Sequence, residues 1–306
     1  MFKGRIEMNI ESIWKRLVSG MRYSLARLCR LARPRTSNLL PLTTLFILFS
    51  SCEKEIDIDY HQIEPLYVVE ASVSDNGMQA RISMTNNMDN NDTSSSISGA
   101  NVTITGSDGS SEPLPYVGNG TYKSVACGTP GVEYRIDIEL DGHHFSSTST
   151  MQEMPELNEF HFFWQNVVQQ KILMAELLFQ DIPNEDNWYF VHLYKNNIGF
   201  SWAVKRDEVN PDGEIQQLFS FGREDSDDED MLREGDRLHL ELRAIDQRTY
   251  DYFYSMQIMD NTGTNPIQNF TGGCLGYFSA YSEVTYDCVF HVNDVESTRP
   301  SRDRSH

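Results

Sequence analysis

The feature that most constrains the fold is a series of short segments in which apolar and polar residues alternate. Residues 66–73, 80–85, 100–105 and 132–140 all follow this period of two, which puts one face of each segment towards a core. Turn signals separate the segments, as in Asp75-Asn76-Gly77. Strands and turns that recur roughly every 8 to 12 residues predict an antiparallel β-sandwich.

The pattern continues beyond Pro155 with longer and more aromatic segments, which indicates a second β-rich region. We therefore predict a mainly β protein with two antiparallel sandwich-like domains, residues 60–152 and 153–296, and a disordered tail at residues 297–306. The strand-like segments of the second half are residues 160–164, 172–179, 188–194 and 237–243.

One segment departs from the alternating pattern. Across residues 246–259 the large apolar side chains recur at steps of three, one and four, which is the spacing of one face of a helix. Asp246 stands where an N-cap is expected. The pattern predicts one amphipathic helix packed across the second sandwich.

An apolar run precedes Cys52. Residues 39–49 follow an arginine-rich stretch and are too short for a bilayer-spanning helix, but they suit the apolar region of a signal peptide. Ser50 and Ser51 supply the small side chains that a lipoprotein signal peptidase needs. We predict a signal peptide at residues 1–51, with an N-terminal extension if Met21 is the true start, and lipidation of Cys52. The alternative is a short membrane anchor.

Charge is divided unevenly along the chain. Of 25 basic and 45 acidic residues, 9 basic and 2 acidic ones precede Cys52, which leaves 16 and 43 and a formal net charge of −27 for the remainder. Such a surface repels nucleic acid, so we predict no nucleic-acid partner. Residues 52–59 are predicted to be a lipidated tether, and the charged patch at residues 53–57 resembles an acidic export tag for display on the cell surface.

Several segments together resemble a Bacteroidota lipoprotein family catalogued as domain of unknown function 4249. They cover nearly the whole chain after Cys52. The resemblance implies an immunoglobulin-like or carboxypeptidase-regulatory-like first domain and a second β-rich domain. It also implies frequent association with TonB-dependent outer-membrane transporters, and no catalytic residues or cofactors. The matching segments are residues 52–57, 66–73, 98–104, 132–142, 181–189, 249–253 and 272–280.

Cleavage before Cys52 would remove Cys29, and lipidation would use Cys52, so three cysteines would remain in the mature chain, which is an odd number for an oxidising compartment. Cys274 and Cys288 are expected on neighbouring strands, where a disulfide could join them. Two free buried thiols are the competing interpretation. Cys127 is expected to be a buried, unpaired thiol.

Metal sites have weak support. His143 and His144 are adjacent on a predicted strand and so point to opposite faces, which disfavours a shared zinc ion. One acidic run offers oxygen ligands for calcium but lacks the spacing of an EF-hand, and a solvated loop is the other interpretation. Its candidate residues are Asp225, Asp227, Asp228, Glu229 and Asp230.

The sequence therefore predicts an outer-membrane, surface-exposed lipoprotein that binds or docks without catalysis and serves as an accessory component of a TonB-dependent transport system. A carbohydrate-binding or adhesion module is an alternative. The rival from another class is a hydrolase of extracellular polymers, with Trp164, Trp188 and Trp202 lining a carbohydrate cleft. Burial of these tryptophans in the core is the competing expectation.

Overall fold

The strands of the described residues form three sheets. In the computed structural model the described residues are 65–85, 95–168, 170–182, 185–206, 213–224, 230–262 and 266–300. The predicted signal peptide, Cys52 and the tether lie outside this range. The strands are β1 (Tyr67–Ser74), β2 (Gly77–Met84), β3 (Asn101–Gly106), β4 (Ser111–Pro113), β5 (Tyr116–Gly118), β6 (Thr121–Ser124), β7 (Glu133–Leu140), β8 (His143–Thr150), β9 (Glu156–Val167), β10 (Gln170–Gln180), β11 (Trp188–Lys195), β12 (Ile198–Arg206), β13 (Glu214–Arg223), β14 (Arg237–Ile245), β15 (Leu275–Val289) and β16 (Val295–Glu296).

The largest sheet has eight strands in the order β12-β11-β14-β15-β1-β2-β6-β5. Two four-stranded sheets have the orders β4-β3-β7-β8 and β13-β10-β9-β16. The eight-stranded sheet is held together by β15, whose first half pairs in parallel with β1 and whose second half pairs antiparallel with β14. A single 15-residue strand therefore joins the two halves of the protein.

Two hydrophobic cores lie on the same face of the eight-stranded sheet. Even-numbered residues of β15 enter both cores, with Phe278 and Ala280 in the first and Val284 and Cys288 against the second. The first core also takes side chains from β1, β2, β3, β7 and β8, and the second from β9, β10, β11, β13 and β14. The predicted fold class, mainly β with antiparallel sandwiches, is confirmed.

The predicted boundary between residues 152 and 153 does not separate the two cores completely. Phe270, Cys274, Phe278 and Ala280 belong to the first core although they come late in the chain. The described residues belong to one compact unit. The first sandwich is therefore closed by a segment that the sequence analysis assigned to the second domain.

The predicted helix forms as α1 (Gln247–Thr262). The Asp246 carboxylate accepts a hydrogen bond from the Thr249 backbone N–H at 3.0 Å, which is the N-cap interaction expected of this residue. The helix packs against β11, β12 and β15, on the face of the eight-stranded sheet opposite the cores. Among the described residues, no helix combines the length and the apolar character needed to cross a membrane.

A glycine permits the close contact between β1 and β15. Gly276 has a φ of +105°, and a Cβ added there would lie 1.9 Å from the Val69 carbonyl oxygen. Gly276 and Val69 are paired residues in the parallel ladder. The Gly273 backbone has a φ of +90°, but the space around a Cβ at that position is open. Of these two glycines, only Gly276 is therefore required by the close contact between β1 and β15.

The predicted disulfide is wrong. Cys127, Cys274 and Cys288 are all free thiols. Cys274 immediately precedes β15 and Cys288 is near its end, so the fourteen intervening steps of about 3.3 Å separate them far beyond disulfide reach. Burial raises the pKa of the Cys274 thiol to about 12 and that of Cys288 to about 11, so both are protonated at neutral pH. Cys127 is exposed rather than buried.

Candidate functional site

The outer face of the eight-stranded sheet, opposite the two cores, carries polar side chains in registered rows. The first row runs across four strands through Tyr277, Glu70, Arg81 and Thr121. These residues face outward because their neighbours Val69, Ala71, Ala80 and Ile82 point into the first core. A second row contains Ser279, Ser72, Gln79 and Lys123, and a third contains Tyr281, Ser74 and Gly77.

Small residues in the middle of these rows create a depression. Ser72 and Ser74 are 8% and 6% exposed, and Gly77 beside them has no side chain. Longer side chains on the flanking strands surround these small residues. The depression comprises one cavity of about 230 Å³ and another of about 130 Å³, which share Ser72 and Gln79. We refer to the two adjoining cavities as the trough.

Several of the polar side chains that line the trough have no hydrogen-bond or ion-pair partner within the described part of the chain. Among the described residues, the side chains of Glu70, Gln79, Arg81 and Lys123 make no hydrogen bond or ion pair, although Glu70 and Arg81 occupy directly opposed positions on β1 and β2. The Ser279 hydroxyl in the second row is also buried and unpartnered within the described chain. Glu70, Gln79, Arg81 and Lys123 are exposed to solvent, so a ligand in the trough can reach them, whereas Ser279 is buried and lines neither cavity.

Tyrosines form one side of the trough. Tyr277 lines the first cavity and contacts two rings of α1, Tyr252 at 5.4 Å and Phe253 at 4.8 Å between centroids. Burial, and secondarily the negative charge of Glu70, raises the pKa of Tyr252 to about 12 and also raises the pKa of Tyr277. Both phenols therefore remain protonated and can donate hydrogen bonds at neutral pH.

A charged network continues from the second cavity. Glu283, which lines that cavity, accepts a 2.6 Å hydrogen bond from Arg243 Nε, and Glu241 accepts one of 2.7 Å from Arg243 Nη2. The Arg243 guanidinium also lies over the Tyr281 ring, 4.5 Å from its centroid. Although burial by itself lowers the pKa of Arg243, the surrounding negative groups raise it above its usual value. These contacts hold the Glu283 side chain in place at one end of the trough.

The three tryptophans proposed for a carbohydrate cleft do not share one. Trp164 packs against the second core, whereas Trp188 and Trp202 pack against the cluster beneath α1, on the opposite face of the eight-stranded sheet. All three are partly buried. Their contacts match the competing expectation that they serve packing.

The predicted metal candidates remain without support. His143 and His144 are both exposed, and His144 Nε2 lies 3.1 Å from Asp137. Four calcium candidates, Asp225, Asp227, Asp228 and Glu229, lie outside the described residues, and only Asp230 is within them. Across the described part of the chain, no group of three or more histidine, cysteine or acidic side chains could hold a metal ion.

Sequence reasoning missed the trough. The alternation in β1 and β2 predicts that Glu70, Ser72, Gln79 and Arg81 face outward, and two consecutive small outward residues in β1 are the available signal of a low floor. The wall at Tyr277 could not be found in this way, because no local pattern indicates that β15 pairs with β1.

Comparisons with known proteins bear on the family and the fold. The family model described as "Domain of unknown function (DUF4249)" matches residues 53–287. No curated protein matches the chain. A solved two fibronectin type-III domain segment from chicken tenascin is similar over 74% of this chain and 100% of its own length, at 9% identity and a TM-score of 0.21. The family model spans most of the sequence, and the chain therefore belongs to the domain of unknown function 4249 family.

Proposed function

We propose that this protein is a lipid-anchored binding component of the outer-membrane surface, that it is not an enzyme, and that the trough is its ligand site. Cys52, which follows an apolar run and two serines, is the proposed site of lipidation. Its proposed partner is a TonB-dependent transporter, for which the protein would hold a ligand or dock. The strongest support for a binding role is the trough, a depression on the outer face of the sheet whose lining side chains Glu70, Arg81 and Lys123 make no hydrogen bond or ion pair with other described residues.

The position of the trough suits a tethered protein. Residues 53–66 separate Cys52 from β1, and 14 residues can extend over at most about 50 Å. The trough lies on β1 itself and on its neighbours β15 and β2. A ligand held there would therefore stay within a few tens of ångströms of the membrane surface and of a transporter beside it.

The spacing of acidic side chains favours binding over hydrolysis. Glu70 and Glu283 are the carboxylates that line the two cavities. Glu70 is opposite Tyr277, six residues before Glu283 on β15, so the two Cα atoms are roughly 20 Å apart at 3.3 Å per residue. Glycoside hydrolases need two carboxyl groups about 5 to 10 Å apart. The trough does not offer that arrangement.

Lipidation is tested by metabolic labelling with an alkyne fatty acid in cells that express the full chain. We expect label on the wild-type protein and none on Cys52→Ala, with Cys127→Ala as the matched control that retains label. Equal labelling of wild type and Cys52→Ala would contradict the proposed anchor.

The accessory role is tested by affinity isolation from detergent-solubilised membranes. We expect a TonB-dependent transporter to co-purify with the wild-type protein and to be reduced when Cys52→Ala prevents anchoring. Recovery of the protein without any transporter component, under conditions that keep other outer-membrane complexes intact, would refute this part of the proposal.

A further inference from the structure

The trough has the form of two consecutive subsites. The first cavity is lined by the first and second rows, and the second cavity by the second and third rows. Successive rows are two residues apart along the strands, which is roughly 7 Å. Each cavity is smaller than the roughly 300 Å³ of an ordinary small-molecule pocket. A ligand that occupies both must therefore be extended along the strands.

The backbone beneath the trough is not available to a ligand. β1 is paired with β15 on one side and β2 on the other, and β2 is paired with β1 and β6. An extended peptide gains affinity by adding its main chain to the free edge of a sheet. On the face of a sheet its amides would find few partners, so the trough disfavours a peptide strand.

Side chains are what the trough offers, and they include both donors and acceptors. In the first cavity the carboxylate of Glu70 accepts, the guanidinium of Arg81 donates, and the Gln79 amide does both. Hydroxyl groups on a ligand also donate and accept. A hydroxyl-rich ligand can satisfy all of these groups, whereas an apolar one would leave them desolvated without partners.

Charge selects against an ionic polymer. Each cavity carries one acidic and one basic side chain, Glu70 with Arg81 in the first and Glu283 with Lys123 in the second. The trough is therefore formally neutral. The net charge of −27 from Cys52 onward repels polyanions from the rest of the surface.

We infer that the trough binds a neutral, linear oligosaccharide, with consecutive sugar residues in its two cavities. The polar walls hydrogen-bond the sugar hydroxyls, while Tyr277 and Tyr281 contribute apolar surface along one side. This inference rests on the proposed binding function and names the ligand class of that same site.

Isothermal titration calorimetry of the full-length protein in detergent tests the inference. The probes are neutral hexasaccharides, namely maltohexaose, cellohexaose, mannohexaose and xylohexaose, and the anionic control is hexagalacturonate. We expect at least one neutral probe to bind at concentrations up to about 5 mM, a range that reveals millimolar affinity, and hexagalacturonate to bind at least tenfold more weakly.

Two variants locate the binding. Gln79→Ala with Arg81→Ala removes exposed trough side chains and should weaken binding at least tenfold. The matched control, Glu133→Ala with Glu139→Ala, changes two exposed residues of β7 and should leave affinity unchanged. Absence of binding by every neutral probe, preference for hexagalacturonate, or equal affinity of the two double variants would each overturn the inference. Lipid labelling and transporter recovery would be unaffected by such a failure, so the proposed function is tested separately.

Discussion

Replacement of Gly276 by alanine tests the close contact between β1 and β15 in the eight-stranded sheet. The new Cβ would lie 1.9 Å from the Val69 carbonyl oxygen and 2.7 Å from the Val69 carbonyl carbon, so backbone rather than a flexible side chain must move. The positive φ costs about 1 to 2 kcal/mol, and forcing an extra methyl into a packed contact costs about 1 to 3 kcal/mol more. We expect Gly276→Ala to destabilise the protein by about 2 to 5 kcal/mol.

Gly273→Ala is the matched control, because Gly273 has a similar φ of +90° but no atoms within 4 Å of a built Cβ. It should cost only the backbone strain of about 1 to 2 kcal/mol. Urea unfolding followed by tryptophan fluorescence gives both values. If the two variants lose the same stability, the steric reasoning about the contact between β1 and β15 is refuted.

Three further predictions concern charged groups. Arg243→Ala leaves Glu241 and Glu283 without their shared cation, so it should cost about 3 to 5 kcal/mol of stability in urea unfolding. A loss below about 1 kcal/mol, the usual value of an exposed ion pair, would contradict this. Burial lowers the pKa of His192 to about 4 from 6.5, so its neutral form stabilises the fold above pH 6.5 and that contribution is lost as pH falls towards 4. Between pH 6.5 and 4, the free energy of unfolding of the wild type should therefore fall by about 1 to 2 kcal/mol more than that of His192→Gln, after allowance for the partial exposure of the ring. The same pH dependence in both proteins, measured by urea unfolding, would argue against this. Arg299 donates a hydrogen bond to the buried carboxylate of Glu176 at 2.8 Å, so Arg299→Ala should lower the free energy of unfolding by about 2 kcal/mol. The same substitution should cost less in a Glu176→Gln background. Additive losses in this double-mutant cycle would show that the two residues are not coupled.

Local features of the chain could be predicted from the sequence because their signals are local. The helix over residues 247–262 follows from the spacing of its apolar side chains and from the Asp246 cap, and both are confirmed. Strands such as β7 and β14 follow from the alternation of apolar and polar residues. Each of these elements depends on residues within about one turn or one strand of each other.

The pairing of distant segments could not be predicted in the same way. The sequence analysis places Cys274 and Cys288 on neighbouring strands, and a single strand over this segment is longer than the usual 3 to 10 residues. The actual strand, β15, is 15 residues long because its two halves have different partners, β1 and β14. The trough was missed for the same reason, since one of its walls comes from β15.

The parallel pairing of Val68 with Leu275 has a consequence for synthesis. A ribosome releases the amino-terminal strand long before its partner exists, and until then one hydrogen-bonding edge of β1 has nothing to pair with. Phe278 and Ala280 are likewise missing from the first core during that interval. The first sandwich therefore cannot complete its sheet or its core until nearly all of the polypeptide has been made, and this late pairing of distant segments favours slow folding.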